Sequence, residues 1–176
     1  HKTLVKGEVI ERLLYVEPAA GTHCPTQSDI PFYQKQKRFV LKECGQVDPE
    51  DIREYIYQGG YEAGRGAVCF MQPKEICDEI IASGLRGRGG GGLPTGKKWD
   101  ITLKQKNAKK YVICNGDEGD PGAFMDRSVM EGNPHSVIEG MIIAAKAIGA
   151  DEGYVYVRTE YPLAVRRMRK AVEEAR

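Results

Sequence analysis

Asn133-Pro134-His135-Ser136-Val137-Ile138-Glu139-Gly140-Met141-Ile142-Ile143-Ala144-Ala145-Lys146-Ala147-Ile148-Gly149 is the stretch on which the fold turns. Val137, Ile138, Met141, Ile142, Ala145 and Ile148 recur at the helical period, which predicts one long helix with a buried face. Asn133 suits its cap, Pro134 its first turn and Gly149 its end. Upstream, Tyr111-Val112-Ile113-Cys114 is a short apolar run that reads as a buried strand. Downstream, Gly153-Tyr154-Val155-Tyr156-Val157-Arg158 is rich in β-formers. Thr159 and Pro162 then open a last helix carrying Val165, Met168 and Val172. Strand, helix, strand, helix predicts an α/β fold with a parallel βαβ unit and a right-handed crossover.

Towards the N-terminus the pattern weakens. A helix is expected from Asp48, with Asp48 as cap, Pro49 in the first turn and Asp51 near the positive end. Ile52, Tyr55 and Ile56 would share its face, and Gly59-Gly60 would stop it. A second helix starts near Pro73, buries Ile76, Ile80 and Ile81, and ends at Gly84. Residues 1–47 read as a linker: Glu8 to Tyr15 as a short strand, Pro18 to Pro31 as a turn-rich connection, and Gln34-Lys35-Gln36-Lys37-Arg38 as solvated surface before Phe39-Val40-Leu41. The flanking unit is then 48–176. Residues 84–100 and 115–132 read as long irregular segments, and such loops in an α/β unit are usually functional.

Bulk composition excludes several classes. Lys plus Arg number 26 against 25 Asp plus Glu, so no general pull towards nucleic acid or an anionic membrane surface is expected. No apolar run approaches the roughly 20 residues that cross a bilayer. His1-Lys2-Thr3-Leu4-Val5-Lys6-Gly7 lacks a signal-peptide core, so a cytoplasmic location is expected. The five cysteines, Cys24, Cys44, Cys69, Cys77 and Cys114, form no C-x-x-C pair. That argues against a disulfide framework and against a self-contained zinc or iron–sulfur site.

Ser83-Gly84-Leu85-Arg86-Gly87-Arg88-Gly89-Gly90-Gly91-Gly92-Leu93-Pro94-Thr95-Gly96-Lys97-Lys98-Trp99 is the most informative segment for chemistry. Glycines let backbone N–H groups close on an anion, and Arg86, Arg88, Lys97 and Lys98 add positive charge. A phosphate, with the flat body of a nucleotide on bare backbone, suits this set. Gly87-x-Gly89-x-x-Gly92 matches a dinucleotide fingerprint but follows a helix. Gly91-x-x-x-x-Gly96-Lys97 matches most of a P-loop, yet Lys98 stands where Ser or Thr would bind Mg²⁺, which disfavours ATP or GTP hydrolysis. A flexible hinge is the plainer alternative.

The second loop, Cys114-Asn115-Gly116-Asp117-Glu118-Gly119-Asp120-Pro121-Gly122-Ala123-Phe124-Met125-Asp126-Arg127, is acidic and leaves the carboxyl end of a strand. Asn115, Asp117, Glu118 and Asp120 can bind ribose or ribityl hydroxyls and a ring N–H. The spacing does not fit a Ca²⁺ loop. A solvated acidic turn remains open, as does acid–base work by Asp117 and Glu118 if both are buried. His135 reads as structural, and His1 and His23 carry no context.

These two loops resemble the two signatures of the FMN- and NADH-binding subunit of respiratory complex I and its relatives. The first runs from Gly84 to Trp99; the second runs from Cys114 to Gly122, through Asp126-Arg127, to Glu131-Gly132-Asn133-Pro134-His135. The similarity extends at least from Asp48 to Arg176. Glu8 to Tyr15 and Asp29 to Ile52 resemble the linker of NAD(P)-linked hydrogenase and formate dehydrogenase subunits, which favours the hydrogenase type. The resemblance implies that Gly87, Arg88, Gly89 and Lys98 line the FMN phosphate side. It implies that Asn115, Asp117 and Glu118 hold the flavin's ribityl and ring, and that Gly90, Gly91, Leu93 and Asp120 lie on the NADH side. The implied reaction is hydride transfer between NAD(P)H and FMN, then one-electron transfer to clusters, the cofactors supplying the chemistry and no side chain being catalytic.

The resemblance also implies what this stretch lacks. It is expected to be an N-terminal fragment, since the family continues into a second half of the flavin domain and a [4Fe–4S] region, and the hydrogenase type begins with a thioredoxin-like [2Fe–2S] domain. The expected partners are a [2Fe–2S] thioredoxin-like subunit and a cluster-bearing hydrogenase or dehydrogenase subunit. No metal ligand is expected here. Leu93 departs from the family's aromatic, losing a stacking contribution of ~0.5–1.5 kcal/mol. Gly91 and Gly116 depart from its alanines. A non-catalytic nucleotide-binding or assembly module is the alternative function.

Overall fold

Two parallel strands, β3 (Tyr111–Gly116) and β4 (Glu152–Val157), pair in register from Tyr111 opposite Glu152 to Gly116 opposite Val157. The computed structural model describes residues 6–120 and 122–176, so His1 to Val5 and Pro121, both named above, lie outside the described residues. The chain divides into two compact units, His1–Phe39 and Val40–Arg176.

In the first unit, β1 (Tyr15–Val16) pairs antiparallel with β2 (His23–Cys24), and a single helical turn, α1 (Pro31–Gln34), follows. The strand expected over Glu8 to Tyr15 is instead a 3₁₀ turn at Glu11–Leu13, closed by the Leu13 N–H donating to the Ile10 carbonyl. The connection expected over 18–31 contains β2 and a second 3₁₀ turn, Gln27–Asp29, where Thr26 and Asp29 cap each other. Arg38 stacks its guanidinium 4.6 Å from the Tyr33 ring, and the rest of the basic run is exposed.

The second unit is helical around the two-stranded sheet. Its helices are α2 (Ile52–Tyr57), α3 (Glu62–Phe70), α4 (Pro73–Ala82), α5 (Thr95–Leu103), α6 (Met125–Gly132), α7 (Pro134–Ile148) and α8 (Pro162–Glu174). As expected, Asn133 caps α7 by accepting the Ser136 N–H, and Gly149 ends it with φ 72°. α7 is the common backbone of both cores. Ile76, Cys77, Ala67, Ala147 and Ile148 form one, with Trp99, Leu103 and Val112 packed against it. Met130, Ile138, Ala164, Met168 and Ala171 form the other, backed by Val155 and Val157.

Several expectations need correction. α2 starts four residues later than Asp48, because Asp48 folds its own turn by accepting the Glu50 N–H, and Asp51 is the cap, accepting the Arg53 N–H at 2.9 Å. Ile56 is exposed, as is Ile81. The strand at 111–114 is buried on one side alone: Tyr111 and Ile113 face outward with Tyr154 and Tyr156, while Val112 and Cys114 face the helices. Residues 84–100 and 115–132 are less irregular than expected, since α5 begins at Thr95 and α6 at Met125. α3 has no counterpart among the helices expected from the sequence.

α3 and α6 share a device. Each starts at an aromatic residue in the left-handed region, Tyr61 (φ 64°) and Phe124 (φ 54°), and neither has a local side-chain cap. Each is capped by a buried glutamate from elsewhere. Glu139 accepts the N–H groups of Tyr61 (2.9 Å) and Gly64 (2.8 Å) and the Tyr55 hydroxyl (2.6 Å). Glu118 accepts the N–H groups of Met125, Asp126 and Arg127. A carboxylate at a helix N-terminus satisfies orphan donors and opposes the positive end of the dipole.

Candidate functional site

The glycine segment is a hairpin-like loop between α4 and α5. Gly84 (φ 69°) turns the chain out of α4. The Thr95 N–H donates to the Leu85 carbonyl and the Gly87 N–H to the Leu93 carbonyl, both at 2.9 Å, and Arg86 bridges Pro94. The tip, Arg88 to Gly92, turns back through Gly90 (φ 94°) and Gly92 (φ 58°), conformations that side chains rarely adopt. Gly87 to Gly91 are exposed, and a Cβ placed on Gly89, Gly90 or Gly91 would meet nothing within 4 Å. The bare backbone there is open to a ligand rather than spent on internal packing.

Gly96 works differently. A Cβ there would fall 2.5 Å from the Ile81 nitrogen and 2.9 Å from the Cys77 carbonyl oxygen, so this glycine lets α5 cross α4 in backbone contact. The P-loop-like spacing from Gly91 to Gly96 is thus a packing requirement at one end. The crossing fixes the start of α5 beside the loop. Among the described residues Arg86, Arg88, Lys97 and Lys98 make no ion pair, and all four are exposed. Leu93 is 55% exposed on the same loop.

The acidic loop leaves the carboxyl end of β3, where parallel sheets bind ligands. Gly116 is buried there, its Cβ position 2.8 Å from the Met130 sulfur and from the Tyr156 carbonyl oxygen. Asn115 accepts the Asp117 N–H at 2.9 Å through its side-chain oxygen. Asp117 is half exposed, with Arg158 Nε 3.6 Å from its Oδ1. Glu118 is buried and its carboxylate serves as the α6 cap, with Oε1 taking two N–H groups and Oε2 one. Asp120 is exposed and accepts the Ala123 N–H through its carbonyl. Because Asp117 is not buried, the paired-carboxylate condition for acid–base work is not met.

Burial, reinforced by the charge of Glu118, raises the Asp126 carboxyl above its ordinary range. Burial and then the charge of Asp126 raise the Cys114 thiol. His135 is a satisfied core residue: Nδ1 lies 2.8 Å from the Tyr61 hydroxyl and Nε2 3.2 Å from Glu174, and burial lowers its pKa. Burial, the charge of Glu139 and the charge of Glu174 push the Tyr61 hydroxyl up to about 12.

Both loops are backed by elements that pack on α7, the glycine loop by α5 through Trp99 and Leu103, and the acidic loop by β3 through Val112 and by α6 through Met130. Among the described residues no hydrogen bond or ion pair joins one loop to the other, and no group of three or more His, Cys, Asp or Glu is placed to hold a metal ion. Arg158 and Tyr161, whose hydroxyl donates to the Glu118 carbonyl at 2.9 Å, belong to this site but were not singled out from sequence. The signal that could have found them is position: a cation and a phenol just beyond the carboxyl end of the second parallel strand. No described helix is long and apolar enough to cross a membrane.

Residues 80–176 match the family model described as Nuo51 FMN-binding domain. The NADP-reducing hydrogenase subunit HndC of Solidesulfovibrio fructosivorans is 54% identical over 143 residues, which are 81% of this chain and 29% of that protein. An NADH-quinone oxidoreductase subunit of Aquifex aeolicus is 47% identical over 137 residues, 78% of this chain and 32% of that one. The chain therefore spans about a third of the length of these relatives. An NAD⁺-reducing [NiFe]-hydrogenase in the H₂-reduced state has a chain that superposes with a TM-score of 0.62 at 32% identity, covering 79% of this chain and 22% of that one.

Proposed function

The chain belongs to the Nuo51 FMN-binding domain family, and on that premise we propose that it serves in an NAD(P)H dehydrogenase flavin module. The observation that carries the reading is the glycine loop: exposed glycines with open space over their backbone, four cations without an ion-pair partner among the described residues, and the start of α5 beside them. That set fits a phosphate ester with a flat ring attached.

Gly87, Arg88, Gly89 and Lys98 would hold the phosphate of FMN. Asn115 would offer its amide, and Asp117 a half-exposed carboxylate, to the ribityl chain and ring. Glu118 would contribute through the lone pair that Oε2 retains, while holding the loop on α6. Gly90, Gly91, Leu93 and Asp120 would face the dinucleotide. FMN, when bound, accepts two electrons as hydride from a nicotinamide and passes them on singly. The chain's own part is to bind, orient and exclude water.

Single-electron exit to iron–sulfur clusters, and partner subunits that carry them, complete the proposal. The identity of 54% to a hydrogenase subunit against 47% to the Aquifex oxidoreductase subunit supports the hydrogenase type. Leu93 favours one second reading, a module that binds nucleotide without efficient turnover, because an aliphatic side chain replaces a stacking ring.

The test is FMN titration of the full-length protein, followed by quenching of flavin fluorescence, with NADH-dependent ferricyanide reduction to separate enzyme from binder. Lys98→Ala is expected to weaken FMN by roughly 10- to 100-fold, the worth of one charged hydrogen bond. Glu118→Gln is expected to weaken it as the loop loosens. Unchanged affinity in both variants overturns the site.

A further inference from the structure

Two side chains beyond β4 grip the acidic loop from the opposite strand. Arg158 lies with Nε 3.6 Å from Asp117 Oδ1 and Nη2 3.1 Å from Glu160 Oε1. Its guanidinium rests on the backbone of Gly119, where a Cβ would come within 3.1 Å of Nη1. The glycine thus makes room for the cation. Among the described residues the Asp117 carboxylate has no other partner, whereas Arg158 is anchored independently through Glu160. Arg158 thus has a second ion-pair partner and the Gly119 backbone beneath it, while Asp117 has Arg158 alone among the described residues. Tyr161 holds the next residue by a separate route, its hydroxyl donating to the Glu118 carbonyl.

Resting on the reading of Asp117 as a flavin contact, we propose that Arg158 is a positioning residue that selects the ligand-ready rotamer of Asp117. An unguided aspartate distributes over about three staggered χ1 wells. Confining it to one raises the ready fraction about threefold, and the favourable charge interaction adds to that. Arg158 itself touches Asp117, Gly119 and Glu160 and carries no step of the chemistry. A half-exposed ion pair stabilises the fold very little, so the effect belongs in ligand affinity rather than in unfolding.

The experiment is a double-mutant cycle on FMN affinity in the full-length protein, with visible circular dichroism of the bound flavin and the thermal midpoint recorded for each variant. Arg158→Gln is expected to weaken FMN about fivefold with an unchanged thermal midpoint. Asp117→Asn is expected to weaken it more, and Arg158→Gln added to Asp117→Asn to cost little further, because the carboxylate that Arg158 pairs with is gone. Arg158→Lys, which keeps the charge, recovers most of the loss. Full additivity of the two changes, a loss under twofold for Arg158→Gln, or no recovery by Lys overturns the positioning role while Asp117→Asn still reports on the site. Absence of FMN binding by the unaltered protein overturns the flavin reading itself, and the role with it.

Discussion

Replacing Glu139 by Gln changes one atom in a buried side chain, and the cost can be worked from three hydrogen bonds. Oε2 accepts the Tyr55 hydroxyl and the Tyr61 N–H, and Oε1 accepts the Gly64 N–H. A glutamine has one acceptor oxygen. In its better orientation it keeps the two donors at Oε2 and turns an NH₂ group towards the Gly64 N–H. A buried donor left facing a donor costs about 1–3 kcal/mol, and the two surviving bonds fall from charge-assisted to neutral strength. Relief of the buried charge offsets part of this. The expected destabilisation is about 2–3 kcal/mol, or roughly 4–12 °C in a domain of this size. Thermal unfolding measures it, and hydrogen exchange at the Tyr61 and Gly64 amides localises it to the start of α3. A loss below about 0.5 kcal/mol with those amides still protected would refute the distant-cap account of α3.

Three further outcomes follow from other contacts. Gly96→Ala forces α5 off α4, because the new methyl meets backbone at 2.5 Å, and should cost about 1–3 kcal/mol in urea unfolding; a change under about 0.5 kcal/mol would mean the crossing is loose. His135 titrates lower folded than unfolded, chiefly through burial, with Glu174 opposing. The unfolded chain therefore binds the proton more tightly, so this contribution is whole above the ordinary value of about 6.5 and is lost as pH falls through the lowered one. Thermal midpoints from pH 7 to 5 should fall more steeply for the natural chain than for His135→Gln, and equal slopes would count against it. Leu93→Phe should tighten NADH about two- to tenfold, from ~0.5–1.5 kcal/mol of added stacking, visible as a lower KM in ferricyanide reduction; an unmoved KM would place residue 93 away from the dinucleotide.

The elements legible in sequence are those whose signals are local. Gln72 and Glu75 cap α4, with Pro73 in its first turn, and Asn133 with Pro134 starts α7, while Ile76, Ile138 and Ile148 keep the helical period. α3 and α6 were hidden because their caps lie far away in the chain, at Glu139 and seven residues back at Glu118. The interior glycines Gly64 and Gly66 further mask α3, and α5 is masked by the glycine run it follows. Both candidate loops were located by composition. What composition could not carry was the division of labour within them, where Gly96 packs while Gly89 to Gly91 stand open, and where Glu118 ties down a helix while Asp117 faces outward. The grip of Arg158 on Asp117 joins residues 41 positions apart by way of a strand pairing and leaves no local trace.

The outward side of the sheet has a consequence for handling the protein. Tyr111, Ile113, Tyr154 and Tyr156 stand there between 46% and 68% exposed, on two strands that pair with each other alone among the described residues. Tyr111-Val112-Ile113-Cys114 and Tyr154-Val155-Tyr156-Val157 are short, uncharged, proline-free and strongly β-prone. Segments of that kind on open strand edges recruit identical neighbours into intermolecular sheets. Expressed as this stretch alone, the chain should therefore aggregate as concentration rises, and a lysine at Ile113 or Tyr156 should keep it in solution.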